Sequence, residues 1–230
     1  MIPNRVDTDH ITVIRGSGVN VDRYVPVPEP EGEVVVAVVG RMLKHKGTRE
    51  VVLAVRELKR RRTKVRALLV GRPDPANPSS IGGDTLRQWH REGRAEWLGH
   101  QNDIAAICSK TRIAVLPSYG VEGLPESLLE AAACGRPIVT TDIRGCRDVV
   151  VDGVNGFLVP TGSWIELADA IEVLADSREL RRRMGAAGRT RVEAKFSQDI
   201  VIRQTLDLYR SASEKAGRPC PLFAAEPPPS

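Results

Sequence analysis

Aromatic side chains make up only 4% of the 230 residues. A core folded from this chain must therefore be aliphatic, built from Val, Leu, Ile and Ala. No apolar run approaches the roughly 20 residues that a helix needs to cross a bilayer. The four cysteines, Cys108, Cys134, Cys146 and Cys220, are scattered. None forms a CxxC pair or stands near a histidine at metal-ligand spacing, so we expect reduced thiols and neither a disulfide framework nor a metal site. The N-terminal MIPNRVDTDH lacks an apolar h-region, so we expect no secretory signal and a cytoplasmic protein. Charge of one sign is also modest: 34 basic against 29 acidic residues give a net +5. That balance suits an anionic small ligand, a membrane surface or nucleic acid, and selects none of them.

What is present is a repeated change of hydrophobic period. EVVVAVVG (33–40), VRALLVG (65–71), AEWLG (95–99), RIAVLPS (112–118), PIVTTD (137–142) and GFLVP (156–160) are short apolar runs. They read as strands buried on both faces. ITVI (11–14) reads as one more short strand, followed by the glycine loop RGSGVN. Between the runs lie amphipathic stretches. In GTREVVLAVRELKRRR, for example, Val51, Val52, Val55 and Leu58 share a face. This alternation predicts an α/β fold with a doubly wound, Rossmann-like parallel sheet, whose ligands sit at the C-terminal strand edge. After Pro160 the pattern is helical only, with the arginines of SRELRRRMGAAGRTRVEAKF expected on its exposed side. We divide the chain into a lead-in (1–32), a Rossmann-like domain (33–196), a C-terminal helix (197–215) and a proline-rich, disordered tail (216–230). The basic runs 59–62 and 181–183 read as solvated helix faces without interleaved aromatics, which argues against nucleic-acid binding.

Three loops at the expected ligand edge carry chemistry. In GRMLKHKG, Arg41 offers a fork of donors and Lys46 a mobile point charge, which together suit a diphosphate and equally suit a solvated pair. In RGSGVN, Gly16 and Gly18 allow close backbone approach to a ligand, or simply a tight turn. In EGLPESLLEAAACGRP (122–137), a helix starting near Pro125 would direct the N–H groups of Leu124, Glu126 and Ser127 outward as an anion site. Glu122 lies before that helix and Glu130 in its second turn. A carboxylate can accept two hydrogen bonds side by side, which matches a vicinal diol. The alternative is a dipole-compatible Glu126 with two surface glutamates.

The stretch PSYGVEGLPESLLEAAACGRPIVTTDIRGCRDVV resembles the donor-binding half of a retaining glycosyltransferase of the GT-B fold. More narrowly, it resembles "glycosyl transferase group 1" with its E-x7-E motif, at Glu122 and Glu130. The likeness also covers GSGVN, GRMLKHKG, VRALLVG, WLGHQNDI and DGVNGFLVP, in order, and points to enzymes of capsule, O-antigen and exopolysaccharide assembly. The resemblance implies that Arg41 and Lys46 bind the diphosphate of a nucleotide sugar and, with Glu122, form the catalytic set. Glu130 would hold ribose hydroxyls and Glu122 those of the transferred sugar. Gly123, Leu124, Pro125 and Ser127 would face sugar and phosphates, Gly16 and Gly18 would line the cleft, and the segment around Gly99 and His100 would flank the base. It implies no cofactor, no metal, and a UDP-sugar ahead of a GDP- or ADP-sugar.

The chain departs from the family pattern in three places. The loop before Gly123 is one residue longer, Glu126 stands where a basic residue is common, and Asn20 replaces an Asp. The likeness covers only the C-terminal half of a two-domain enzyme. The glycan or lipid-linked acceptor would thus be met through an N-terminal half, supplied upstream or as a separate subunit, with peripheral contact at the inner membrane face. The alternative reading is a non-catalytic remnant or scaffold in polysaccharide assembly.

Overall fold

The computed structural model describes residues 11–120 and 122–217. Six parallel strands form one sheet: β1 (Val34–Val39), β2 (Val65–Val70), β3 (Glu96–Gly99), β4 (Ile113–Leu116), β5 (Ile138–Thr141) and β6 (Gly156–Val159). Their spatial order is β3-β2-β1-β4-β5-β6. Val34 to Val39 pair in unbroken register with Val65 to Val70. The helices are α1 (Thr48–Arg60), α2 (Gly83–Arg91), α3 (Ile104–Lys110), α4 (Glu126–Ala133), α5 (Arg144–Val149), α6 (Trp164–Asp176), α7 (Arg178–Lys195) and α8 (Gln198–Ala216).

The valine run of β1 serves both layers because successive side chains point to opposite faces. Val34, Val36 and Val38 join Val51, Val55 and Leu58 of α1 and Leu167, Ile171 and Leu174 of α6 in one cluster. Val35 and Ala37 join Leu68, Val70 and Ile107 on the other side. A further cluster packs Leu128 and Leu129 of α4 against Ala114, Leu116 and Val192. Full burial of one such Val or Leu contributes about 1.5–3 kcal/mol. Among the described residues, no helix is long and apolar enough to cross a membrane.

Several local expectations change. Residues 11–14 form no strand, and Ile11 and Val13 are exposed. No neighbouring strand lies there to accept their backbone groups, so the alternation of this segment has nothing to bury against. The lead-in instead attaches through Val19, whose N–H donates to Phe196 O while its carbonyl accepts from Gln198 N. RGCRDV folds as α5, a helix too short and too poor in apolar periodicity to announce itself. The basic runs are not uniform solvated faces. Arg181 is 4% exposed; it forms a two-pronged pair with Glu29 at 2.9 Å and donates to the last carbonyls of α6. Arg61 bridges Glu57, Asp169 and Glu172. The tail from residue 218, including Cys220, lies outside the described residues.

Candidate functional site

The strand order reverses direction between β1 and β4, and the loops that follow these two strands meet at this switch point, the usual ligand position in an open α/β sheet. The two loops touch first through Gly47, at φ 73°. A Cβ on it would stand 2.2 Å from the Pro117 carbonyl oxygen, so only glycine permits this approach. Gly145 does the same on the other side, where a Cβ would stand 1.7 Å from Gly123 O. The start of α5 thus clamps the loop that carries Glu122.

Between these loops Lys46 Nζ reaches both carboxylate oxygens of Glu122, each at 2.7 Å. The Lys46 and Glu122 side chains are 20% and 7% exposed. Glu122 Oε1 also accepts from the buried Ser118 hydroxyl at 2.6 Å. Ser118 is held in turn by Thr141, whose hydroxyl donates to the Ser118 carbonyl. Tyr119 N–H donates to His45 O at 2.9 Å, tying the β4 loop to the turn that presents Lys46.

The remaining expected site residues are distributed as follows. Arg41, at the end of β1, is exposed and pairs with Asp74 at 2.8 Å. Pro125 is the N-cap of α4 with no side-chain capping bond. The N–H groups of Glu126 and Ser127 in the first turn therefore have no partner within the helix. Leu124 packs on Gly16, where a Cβ would meet its Cδ2 at 2.8 Å. Ser17 of the same glycine loop donates to Glu126 Oε1 at 2.8 Å, and Arg15 pairs with Asp148. The glycine loop is thereby fastened over the start of α4. Gly18 faces elsewhere, against the backbone of Ser197 and Gln198. His100 is exposed and directly follows β3, the edge strand of the sheet.

Glu130 lies in the second turn of α4 and accepts from the Tyr24 hydroxyl at 2.5 Å. Burial raises its pKa above the usual carboxylate value, and Tyr24 and Arg23 act against that rise. Burial and the Glu130 bond also push the Tyr24 phenol upward. Tyr24, Ser118 and Ser17 carried no signal in the sequence. Each acts through a partner distant in the chain or, for Ser118, through a loop turn. Among the described residues, no group of three His, Cys, Asp or Glu side chains could hold a metal ion.

The arrangement offers groups of the kind that anion and polyol recognition uses. Lys46 and Glu122 pair beside the uncapped start of α4, over which the glycine loop is fastened, whereas Glu130 stands in the second turn of α4 against Tyr24.

Comparison with known proteins agrees with this fold. The family model described as glycosyl transferases group 1 matches residues 25–191. The chain is 30% identical over 212 residues to N,N'-diacetylbacillosaminyl-diphospho-undecaprenol alpha-1,3-N-acetylgalactosaminyltransferase of Campylobacter jejuni, covering 86% of this chain and 54% of that protein. Among solved structures, sucrose-phosphate synthase from Thermosynechococcus elongatus superposes with a TM-score of 0.76 at 27% identity, covering 86% of this chain and 52% of that one. Anabaena Alr3699/HepE, solved in complex with UDP, superposes at 0.75 with 22% identity, covering 84% and 56%. The chain spans about half the length of the proteins it matches. It belongs to the glycosyl transferases group 1 family, has the Rossmann-like fold of GT-B enzymes, and corresponds to the C-terminal half of its relatives.

Proposed function

We propose that this chain is the donor-binding part of a hexosyltransferase that takes a sugar from a UDP-sugar with retention at the anomeric carbon. The observation that carries the reading is the Lys46–Glu122 pair at the switch point, beside the uncapped start of α4. Lys46 would exchange Glu122 for the donor diphosphate and offset the charge that builds on the leaving group. Arg41 would add its guanidinium from the end of β1. Glu122, held by Ser118, would then accept from hydroxyls of the sugar, and Glu130 from those of the ribose. Gly16, Gly123, Leu124, Pro125 and Ser127 would wall the cleft, with His100 toward the base. The UDP complex of the Anabaena structure supports this choice of nucleotide.

The acceptor, a glycan or lipid-linked glycan, would be met by an N-terminal half, encoded upstream or as a separate subunit, at the cytoplasmic membrane face. No metal is needed in this scheme, because the cations come from the chain.

Titration calorimetry at low salt with UDP, UDP-glucose, UDP-N-acetylglucosamine, GDP and ADP tests the reading. UDP and its sugars should bind, with affinity unchanged by EDTA and reduced in Lys46→Ala and Glu130→Ala. No heat with any of these nucleotides would overturn it.

A further inference from the structure

The lead-in segment before β1 is built to deliver one side chain to Glu130. Asn20 Oδ1 accepts from the N–H groups of Asp22 and Arg23 at 3.0 and 2.9 Å, closing a tight turn. Arg189 of α7 then pins that turn. Its Nη1 donates to the carbonyls of Val21 at 3.0 Å, Tyr24 at 2.5 Å and Ala133 at 2.9 Å. One guanidinium thus fixes the turn to the end of α4, the helix that carries Glu130. Arg23 lies over the Tyr24 ring at 5.5 Å and donates to Asn102 O at 3.3 Å. Tyr24 is 7% exposed, and its hydroxyl meets Glu130 Oε1 at 2.5 Å.

We infer that Tyr24 is a positioning residue for nucleoside recognition: its hydroxyl holds Glu130 in one orientation through Oε1 and leaves Oε2 to the ribose. This rests on the donor-site reading above and deepens it.

A carboxylate accepts from both hydroxyls of a diol best when it is charged and correctly turned. Burial at this position works against the charge. The groups facing Glu130 are Tyr24 and Arg23 from the lead-in, Glu126 one turn earlier on α4, Cys108 on α3 and Cys134 at the end of α4. Burial and Glu126 favour the protonated form, whereas the Tyr24 bond and Arg23 favour the charged one. Tyr24 is the only one of these groups that donates a hydrogen bond directly to the carboxylate. A phenol suits this role because it keeps its proton at neutral pH, and here burial raises its pKa further.

The test is Tyr24→Phe, which keeps the ring in its buried place and removes only the donor. Two readouts are needed. In the ligand-free protein, the Glu130 carboxyl midpoint is followed by 13C NMR, with the resonance assigned from Glu130→Gln. It should move upward in Tyr24→Phe. In calorimetry, Tyr24→Phe should bind UDP about tenfold more weakly at pH 6.5, the loss expected for one charge-assisted hydrogen bond. With 2′,3′-dideoxyuridine diphosphate, wild type and variant should bind alike.

An unmoved midpoint, or UDP affinity in the variant equal to or above wild type, overturns the inference while wild-type binding preserves the donor-site reading. Failure of wild type to bind UDP at all overturns both.

Discussion

Lys46 Nζ stands 2.7 Å from each oxygen of Glu122, joining the β1–α1 turn to the β4–α4 loop across 76 positions of sequence. The pair is largely shielded, so each charge depends on the other. Removing one partner from a buried pair leaves the other uncompensated and costs about 3–5 kcal/mol. Lys46→Ala should therefore lower unfolding free energy by about 2–3 kcal/mol, somewhat less than that limit because Lys46 is partly exposed and Ser118 still supports Glu122. The Lys46→Met/Glu122→Leu double variant should recover most of this loss. A urea-denaturation double-mutant cycle measures the coupling. Additive single effects would show that the two charges do not depend on one another.

Arg41 should behave differently. Its partner Asp74 lies at the rim, and the Arg41 side chain is 59% exposed. Exposed pairs contribute little, so Arg41→Ala should change stability by less than about 0.5 kcal/mol. It should still weaken UDP binding, and the loss should shrink at high salt as screening removes the long-range part. A large stability change with unchanged affinity would make Arg41 a structural residue.

Glu130 makes a pH prediction. Its pKa is raised from an ordinary 4.5, first by burial. The folded state then binds the proton more tightly than the unfolded state. Stability falls as pH rises from the unfolded value through the folded one, and the penalty is complete above both. Glu130→Gln removes that titration and retains an acceptor for Tyr24. The variant should be more stable than wild type at pH 7, with the gap closing toward pH 4. Thermal melts across this range would refute the assignment if the gap were constant.

Glycine substitutions separate packing from backbone strain. Gly47 and Gly162 both have positive φ, 73° and 74°. A Cβ on Gly162 meets open space, whereas one on Gly47 meets the Pro117 carbonyl. Gly162→Ala should cost only the left-handed penalty of about 1–2 kcal/mol. Gly47→Ala carries the same penalty plus a backbone clash, so it should cost more and also loosen the loop facing Glu122. Comparing the two denaturation midpoints, with UDP affinity as the second readout, tests the claim.

The parts of this architecture that were readable in the sequence are those set by local period. β1 is an unbroken valine run because both its faces are covered, and α1 shows its buried stripe at Val51, Val55 and Leu58. Glu122 and Glu130 could be singled out because their spacing is local to one loop and helix. Lys46 could be singled out as well, but neither its pairing with Glu122 nor Tyr24's with Glu130 could. Tyr24 lies 106 positions from Glu130 and Lys46 76 from Glu122, and no spacing rule connects them. Residues 11–14 misled because alternation implies a strand only when a neighbour exists to pair with it. Arg181 misled because a basic run predicts solvent, and here Glu29 and the end of α6 supply buried acceptors. The six residues of α5 are held by the close approach of Gly145 to Gly123, a tertiary constraint on a segment with no pattern of its own.

Arg136 provides the last test. It follows α4, is 2% exposed, and donates from Nε to Cys108 O at 3.0 Å. Its Nη2 is buried without a hydrogen-bond partner. Burial lowers its pKa, with Cys108, Cys134 and the Glu29 carboxylate acting in the opposite direction. A buried cation with an unsatisfied donor is unfavourable, and an apolar side chain of similar length should fit better. Cys108 O would keep a donor, because Thr111 N–H also reaches it at 3.1 Å. Arg136→Met should therefore raise unfolding free energy by about 1 kcal/mol, at the low end of the gain seen when buried charges are replaced by packed apolar groups. A loss of similar size in urea denaturation would show instead that the guanidinium has a stabilising partner in solution.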